Sequence, residues 1–273
     1  MNAYKTLSSA YDNAYQAHLE AFQRRLTNTY SAQERYTDFY PSIGVLADDD
    51  VDVLIYGQAV GGWHPELDYV NPIPSDRVLE SERYSNEPYP GHSPLDWVNV
   101  LWTNGTLNKR PPEEQAHYEG REKGYRAWSS FFWQTTIGLM QHRHLITDDE
   151  DWNWHKGLVW SNLYKIAPQD YSIPDAKEKY NPTETDRALQ RPDAVDLVRM
   201  ELDELRPKLC VVLTNDSWWA PFRKGLPTKP RSTRLGENLE CVEQYNDTRI
   251  VVVKRLRGMS YKKAVADIIA VSS

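Results

Sequence analysis

Cysteine is nearly absent: Cys210 and Cys241 are the only two in a chain of 273 residues. Two thiols so far apart in sequence supply no disulfide framework and fit a reducing compartment. They are also too few for a four-cysteine iron–sulfur cluster. No apolar run approaches the roughly 20 residues that a bilayer span requires. The segment Met1 to Leu7 lacks the basic-then-apolar pattern of a secretion signal. These absences predict a soluble, cytoplasmic protein without a membrane partner. Phenylalanine is scarce, at 5 residues, beside 10 tryptophans and 17 tyrosines. Rings with a polar handle suit a wet binding cleft as well as a core. The remaining composition is globular, and the length is ample for one α/β domain with insertions.

A net charge of −7 argues against non-specific coating of nucleic acid, but distribution matters more than the sum. Arg223 to Arg234 carries Arg223, Lys224, Lys229, Arg231 and Arg234 with no acid. Lys254 to Lys263 carries Lys254, Arg255, Arg257, Lys262 and Lys263 with none either. A solvated face would produce either run alone. Two of them in the C-terminal third, each after an expected strand, favour a phosphate-contacting rim.

Periodicity organises the chain. Residues 8–27 read as a helix with Ala10, Ala14, Leu19 and Phe22 near one stripe, within an N-terminal helical extension spanning 1–45. Asp52 to Tyr56 is a short apolar strand ending at Gly57. An irregular stretch rich in Pro, Asn, Gly and Ser covers 61–117, a length that marks a functional insertion. A helix is expected from Tyr125 to Gln141, with Trp128, Phe131, Phe132 and Met140. Leu158 to Ser161 is a second strand, broken at Asn162. After a Pro-rich connection over 167–190, Pro192 and Asp193 open a helix whose stripe is Val195, Val198, Leu202 and Leu205. Pro207 stops it. Leu209 to Thr214 and Ile250 to Val253 are further strands, and Met259 to Ile269 is a closing helix.

Strands that are continuous apolar runs are buried on both faces, and their alternation with helices predicts a parallel sheet. The expectation is therefore a single α/β domain over 1–273, with a central parallel sheet of about four strands flanked by helices. Ligands of such sheets bind beyond the carboxyl ends of the strands. The site should form from the residues just beyond Tyr56, Ser161, Thr214 and Val253.

At those strand ends a resemblance appears. Gly57-Gln58-Ala59-Val60-Gly61-Gly62-Trp63 resembles the first motif of the uracil-DNA glycosylase superfamily, which comes after the first strand and begins Gly-Gln in its best-known branch. Trp160 to Ile166 resembles the segment in which a strand ends in Asn followed by an apolar-x-Lys turn. Glu204 to Pro207 followed by Val211 to Thr214 resembles the helix–Pro–strand step. Val251 to Arg255 sits where the last strand precedes a DNA-probing loop. The resemblance covers roughly residues 50–270 in order, with long loop insertions.

What it implies is chemical. A base inside a duplex is unreachable, so such an enzyme extrudes it and reads its Watson–Crick edge. Asn162 matches the family's base-reading Asn, and a carboxamide offers one donor and one acceptor group for that task. A turn-capping role would also place an Asn there. Gly57, Gln58, Ala59 and Gly61 are the base-binding loop, where glycine allows close main-chain approach. Lys254, Arg255, Leu256, Arg257 and Arg231 are the DNA-contacting residues, with Leu256 as a wedge that fills the vacated stack.

The departures matter too. The best-known branch has Asp, which positions water, where this chain has Ala59. Another branch also carries Ala and takes its carboxylate from downstream. Glu66, Asp68 and Asp96 are the candidates here, with Glu66 and Asp68 taken as catalytic beside Asn162. A carboxylate near the sugar stabilises the cation formed as the N-glycosidic bond breaks. The family's second motif offers a His where this chain reads Lys254 to Gly258. A Tyr that excludes C5-substituted bases in the uracil-specific branch is replaced by Gly61.

Three readings stand. The first is a monomeric DNA glycosylase without metal or redox cofactor. It acts in repair or in phage defence, on a bulky C5-modified pyrimidine such as hydroxymethylated or glucosylated cytosine. The second is a non-catalytic nucleic-acid binding module of the same fold. The third is a metal-dependent hydrolase using His142, His144, Asp148, Asp149 and His155, although their spacing matches no standard zinc signature.

Overall fold

Every residue of Val53–Gly57, Leu158–Asn162 and Leu209–Val212 is buried, a pattern found in strands covered on both faces. The computed structural model describes residues 7–27, 36–44, 46, 50–59, 66–67, 71–86, 95, 98, 130–143, 155–168, 181–231, 236–255 and 258–272. Its elements are, in chain order, α1 (Ser9–Thr27), β1 (Tyr36–Asp38), β2 (Ser42–Ile43), β3 (Val53–Gly57), β4 (Glu66–Leu67) and α2 (Arg77–Asn86). They continue with α3 (Phe131–Arg143), β5 (Leu158–Asn162), β6 (Ile166–Pro168), α4 (Glu184–Leu205), β7 (Leu209–Val212) and α5 (Asp216–Gly225). The last are β8 (Lys229–Pro230), β9 (Leu239–Tyr245), β10 (Thr248–Val253) and α6 (Tyr261–Ser272).

The class is α/β, and the four expected strands form a contiguous parallel block in the order β5-β3-β7-β10. The sheet is larger than that block. Antiparallel β2 borders β5, and antiparallel β9 and β8 extend the other side, giving seven strands and a mixed sheet. The strand β9 alternates buried and exposed positions over part of its length, so it has no continuous apolar run. It turns into β10 through Asn246, whose φ of 48° is a left-handed conformation that Asn tolerates. The edges are short: β8 is Lys-Pro, which resists further pairing, and β2 is held by α2 through Ser42 Oγ to Ser85 O and Ile43 N to Asn86 Oδ1. A second sheet has the order β4-β1-β6.

Side chains alternate across the main sheet. Leu54, Tyr56, Val159, Cys210, Val212, Ile250 and Val252 face α1, α4 and α5. Val53, Ile55, Leu158, Trp160, Val211, Val251 and Val253 face α3 and α6. Residues 36–43 are therefore not a helical extension, since β1 and β2 belong to the sheets. The helix α1 buries Tyr11, Tyr15, Leu19 and Phe22 in the main core. The stretch 61–117 contains β4 and α2.

Two helices differ from the periodicity. α4 starts at Glu184, eight residues before Pro192, because Thr183 and Asp186 form a reciprocal capping box ahead of it. That box and the packing of Gln190, which bonds both the N–H and the carbonyl of Ile166, outweigh the proline in the third turn. The described part of the helix expected over 125–141 begins at Phe131 and ends at Arg143.

Candidate functional site

The chain runs from β3 out to β5 on one side, then returns past β3 to β7 on the other. The helix leading into β5 (α3) lies on one face and the helix leading into β7 (α4) on the opposite face. Strand order therefore reverses at β3. Such reversals open a crevice beyond the carboxyl ends of the strands, where α/β proteins bind ligands.

Gly57 and Asn162 stand at that crevice as register partners, each the last residue of its strand. The pairing continues past the strands: Leu163 N–H donates to Gly57 O (3.0 Å) and Tyr164 N–H to Gln58 O (3.1 Å). The two loops thus leave the sheet clamped together. A Cβ on Gly57 would run into Asn162 Oδ1, so glycine is required for the carboxamide to lie where it does. Phe132 Cε2 is 3.5 Å from the point where that Cβ would stand, which brings an aromatic edge of α3 to the same spot. Phe132 is half-buried and leans on Trp133 and Trp160.

Asn162 is only 2% exposed, yet among the described residues its Nδ2 has no hydrogen-bond partner. An unpaired buried amide costs about 1–3 kcal/mol. The backbone behind it is well held: Asn162 O accepts from Lys165 Nζ at 2.8 Å, and the neighbouring Ser161 Oγ accepts from the same Nζ at 2.6 Å. An orphaned donor on a fixed backbone marks a place for a ligand acceptor.

The third strand end adds strain. Asn215, just beyond β7 and buried Thr214, has φ 85° and ψ 170°, a region that non-glycine residues rarely occupy. Its Oδ1 caps α5 by accepting from Trp218 N–H (3.4 Å) and Ser217 Oγ–H (2.7 Å). Trp218 meets Tyr164, two residues after Asn162, edge-on at 5.7 Å and carries the Arg187 guanidinium over its ring at 4.2 Å.

The expected residues fall into four groups. Gly57, Gln58, Ala59 and Asn162 lie together, with Gln58 and Ala59 half-buried. Thr214 and Lys254 come after the neighbouring parallel strands at the same edge. Gly61, Asp68, Asp96, Leu256 and Arg257 lie outside the described residues. The backbone of Glu66 is in β4, paired with Thr37, and β1 separates it from β6, which leaves the Asn162 turn.

The basic runs are less uniform than their composition suggests. Arg223 is inside α5 and ion-paired with Asp216 and Glu243; those two acids overcome its partial burial and raise its pKa further. Arg231 is exposed, bonds Gln244, and donates its N–H to Val242 O, level with Val251. That places it about 7 Å short of the end of β10 and two strands out from it. Lys254 donates to Glu237 O at 2.7 Å, and Arg255 beside it is exposed.

Of the histidine constellation, His142 is exposed in the last turn of α3 while His155 is buried just before β5. His144, Asp148 and Asp149 lie outside the described residues. Among the described residues no three His, Cys, Asp or Glu side chains gather as metal ligands. No described helix is long and apolar enough to cross a membrane.

Sequence reading passed over Phe132 as a site residue, and Glu201 altogether. Glu201 sits on the buried stripe of α4, three residues after Val198 and four before Leu205, so an acid on an apolar face was the available signal. No protein-family model matches this chain, and no curated protein matches it.

Proposed function

We propose that this protein is a DNA glycosylase of the uracil-DNA glycosylase-like superfamily, which flips a base out of DNA and hydrolyses its N-glycosidic bond. The observation that carries the reading is the buried, unpartnered Nδ2 of Asn162 beside Gly57, at the strand-order reversal and within reach of Phe132. A flipped base supplies what that spot lacks: a flat ring to lie against an aromatic side chain and an edge with acceptors for a carboxamide. In this reading Asn162 reads the base edge and Gly57 to Ala59 approach it with main chain. The sugar becomes cationic as the bond to the base breaks and the base leaves with the bonding electrons. Glu66 or Asp68 orients the water that adds to the sugar carbon and takes up the proton that the water loses. Lys254, Arg255, Leu256, Arg257 and Arg231 contact the DNA.

The substrate class is set by Gly61, where the uracil-specific branch has Tyr. Loss of that ring leaves room for a bulky C5 substituent, as on hydroxymethylated or glucosylated cytosine, and makes a role in phage defence the natural one.

The test is to incubate the protein with duplexes carrying different modified bases and to assay free base and alkali-labile abasic sites. Release that disappears in Asn162→Ala supports the reading. Ala59, which removes the usual water-positioning Asp, favours a second reading, a non-catalytic DNA-binding module. Tight binding to a modified duplex without release from any DNA decides for it. Release that stops on chelation would instead mark metal-dependent chemistry.

A further inference from the structure

The pleat separates two functions at the same strand ends. Gly57 and Asn162 present their side-chain positions near α3, where Phe132 stands. Their predecessors Tyr56 and Ser161 point through the sheet towards α1 and α4. There they meet a fully buried ion pair, Lys165 Nζ to Glu201 at 2.5 Å, with both side chains 0% exposed. Glu201 also accepts from Tyr11 Oη (2.5 Å) and Tyr56 Oη (2.8 Å). Lys165 Nζ donates to Ser161 Oγ (2.6 Å) and Asn162 O (2.8 Å) besides Glu201. An ammonium has three N–H donors, and all three are engaged, two of them on the strand end that carries Asn162.

We propose that Lys165 and Glu201 are positioning residues that fix the Asn162 carboxamide in its ligand-ready orientation, from the opposite face of the sheet. Glu201 joins the two strand ends: it holds Tyr56, the residue before Gly57, directly, and holds Ser161 and Asn162 through Lys165. A buried ion pair is weak evidence for stability, because apolar side chains of similar volume often replace one at no loss. What apolar side chains cannot replace is the bond to Asn162 O and the bond to Ser161 Oγ. Positional precision at the site is therefore what the pair provides beyond cohesion. Supporting shells of this kind set geometry to fractions of an ångström. The inference rests on the proposed base-reading role of Asn162 for its kinetic consequence only; the geometric consequence stands by itself.

The experiment compares the full chain with Lys165→Met/Glu201→Leu, which removes both charges together. Three quantities are measured: the urea midpoint, the side-chain amide resonances of Asn162 (identified by their loss in Asn162→Asp), and base release on the preferred DNA. The expected result is a folded protein with a lowered midpoint, since the buried Tyr11 and Tyr56 hydroxyls lose their acceptor, with shifted or broadened Asn162 amide resonances, and kcat reduced about 100-fold with KM little changed, since a misplacement of about 1 Å costs that much. Unmoved Asn162 resonances, or wild-type turnover in the double variant, overturn the proposal. Ser161→Ala removes one contact and no charge; it is the second variant and is read by the same criteria. If the wild-type protein releases no base from any DNA, the proposed function fails, and the resonance comparison alone still decides this one.

Discussion

Gly57 and Asn162 end neighbouring parallel strands with no room for a methyl group between them. Gly57→Ala therefore forces Asn162 or the strand end to move. The expected cost is about 1–3 kcal/mol, the usual range for overpacking. In an Asn162→Ala background the obstacle is gone, so the same change should cost less than about 1 kcal/mol, a strongly non-additive cycle. Urea unfolding of the four proteins checks this. Equal costs in both backgrounds would show that the contact is not the reason for glycine.

Asp38 and Arg77 form a buried pair in which the carboxylate also accepts from Tyr15 and Ser81, tying β1 to α1 and α2. Arg77→Met leaves that carboxylate without its cation. The expected loss is about 3–5 kcal/mol, read as a lowered urea midpoint. A loss below about 1 kcal/mol would place Arg77 among ordinary surface cations.

Asp193 gives the stability a pH dependence. Burial pushes its carboxyl up, but the hydrogen-bonded Arg25 guanidinium and the His18 ring, whose Nδ1 approaches to 3.5 Å, outweigh burial and bring it from 3.8 down to about 2. A carboxyl depressed in the folded state binds its proton more tightly when unfolded. Its contribution is complete above pH 3.8 and is lost as pH falls towards 2. Asp193→Asn should lower stability at pH 6 and flatten the acid limb between those values. A limb of unchanged steepness would assign the loss to other groups.

Arg231 and Arg223 belong to one basic run but should behave differently. Arg231 is exposed and its guanidinium bonds a neutral amide, Gln244, which a phosphate can displace, so Arg231→Gln should weaken DNA binding and lower the salt slope by about 1. Arg223 is already paired with Asp216 and Glu243. Arg223→Gln should therefore lower stability and leave the slope unchanged. Filter binding across a salt series separates them, and equal slope changes would refute the assignment.

The substrate prediction concerns Gly61. Excision of 5-hydroxymethylcytosine or its glucosylated form is expected to exceed excision of uracil in the same duplex. Gly61→Tyr should reverse that preference by refilling the space beside the base. Preference for uracil in the wild-type protein, or bulky-base activity untouched by Gly61→Tyr, refutes the enlarged pocket.

Several elements were hidden for identifiable reasons. α5 was not read as a helix because the run from Arg223 looks like a charged loop. Its signal was Asn215 as a cap ahead of Asp216. Glu240, Glu243 and Gln244 gave β9 a polar appearance, although Glu243 is buried against Trp219 and Arg223. Pro192 looked like a helix start because proline favours that position, whereas the capping box begins the helix two turns earlier.

The amino-acid sequence alone determined the α/β class and the four apolar parallel strands, with β5 running one residue past the expected Ser161 and β7 stopping two short of Thr214, because burial on both faces imposes an apolar residue at nearly every position of a short run. It also singled out Gly57 and Asn162 by type. Their adjacency is a property of strand order, which local pattern does not encode: β3 and β5 are neighbours although about a hundred residues separate them. The same holds for the Lys165–Glu201 pair and for Arg223, whose partners only the fold supplies. Periodicity reports which face of an element is buried. Only tertiary packing decides which buried faces meet, and so whether a charge or an amide is satisfied or left waiting.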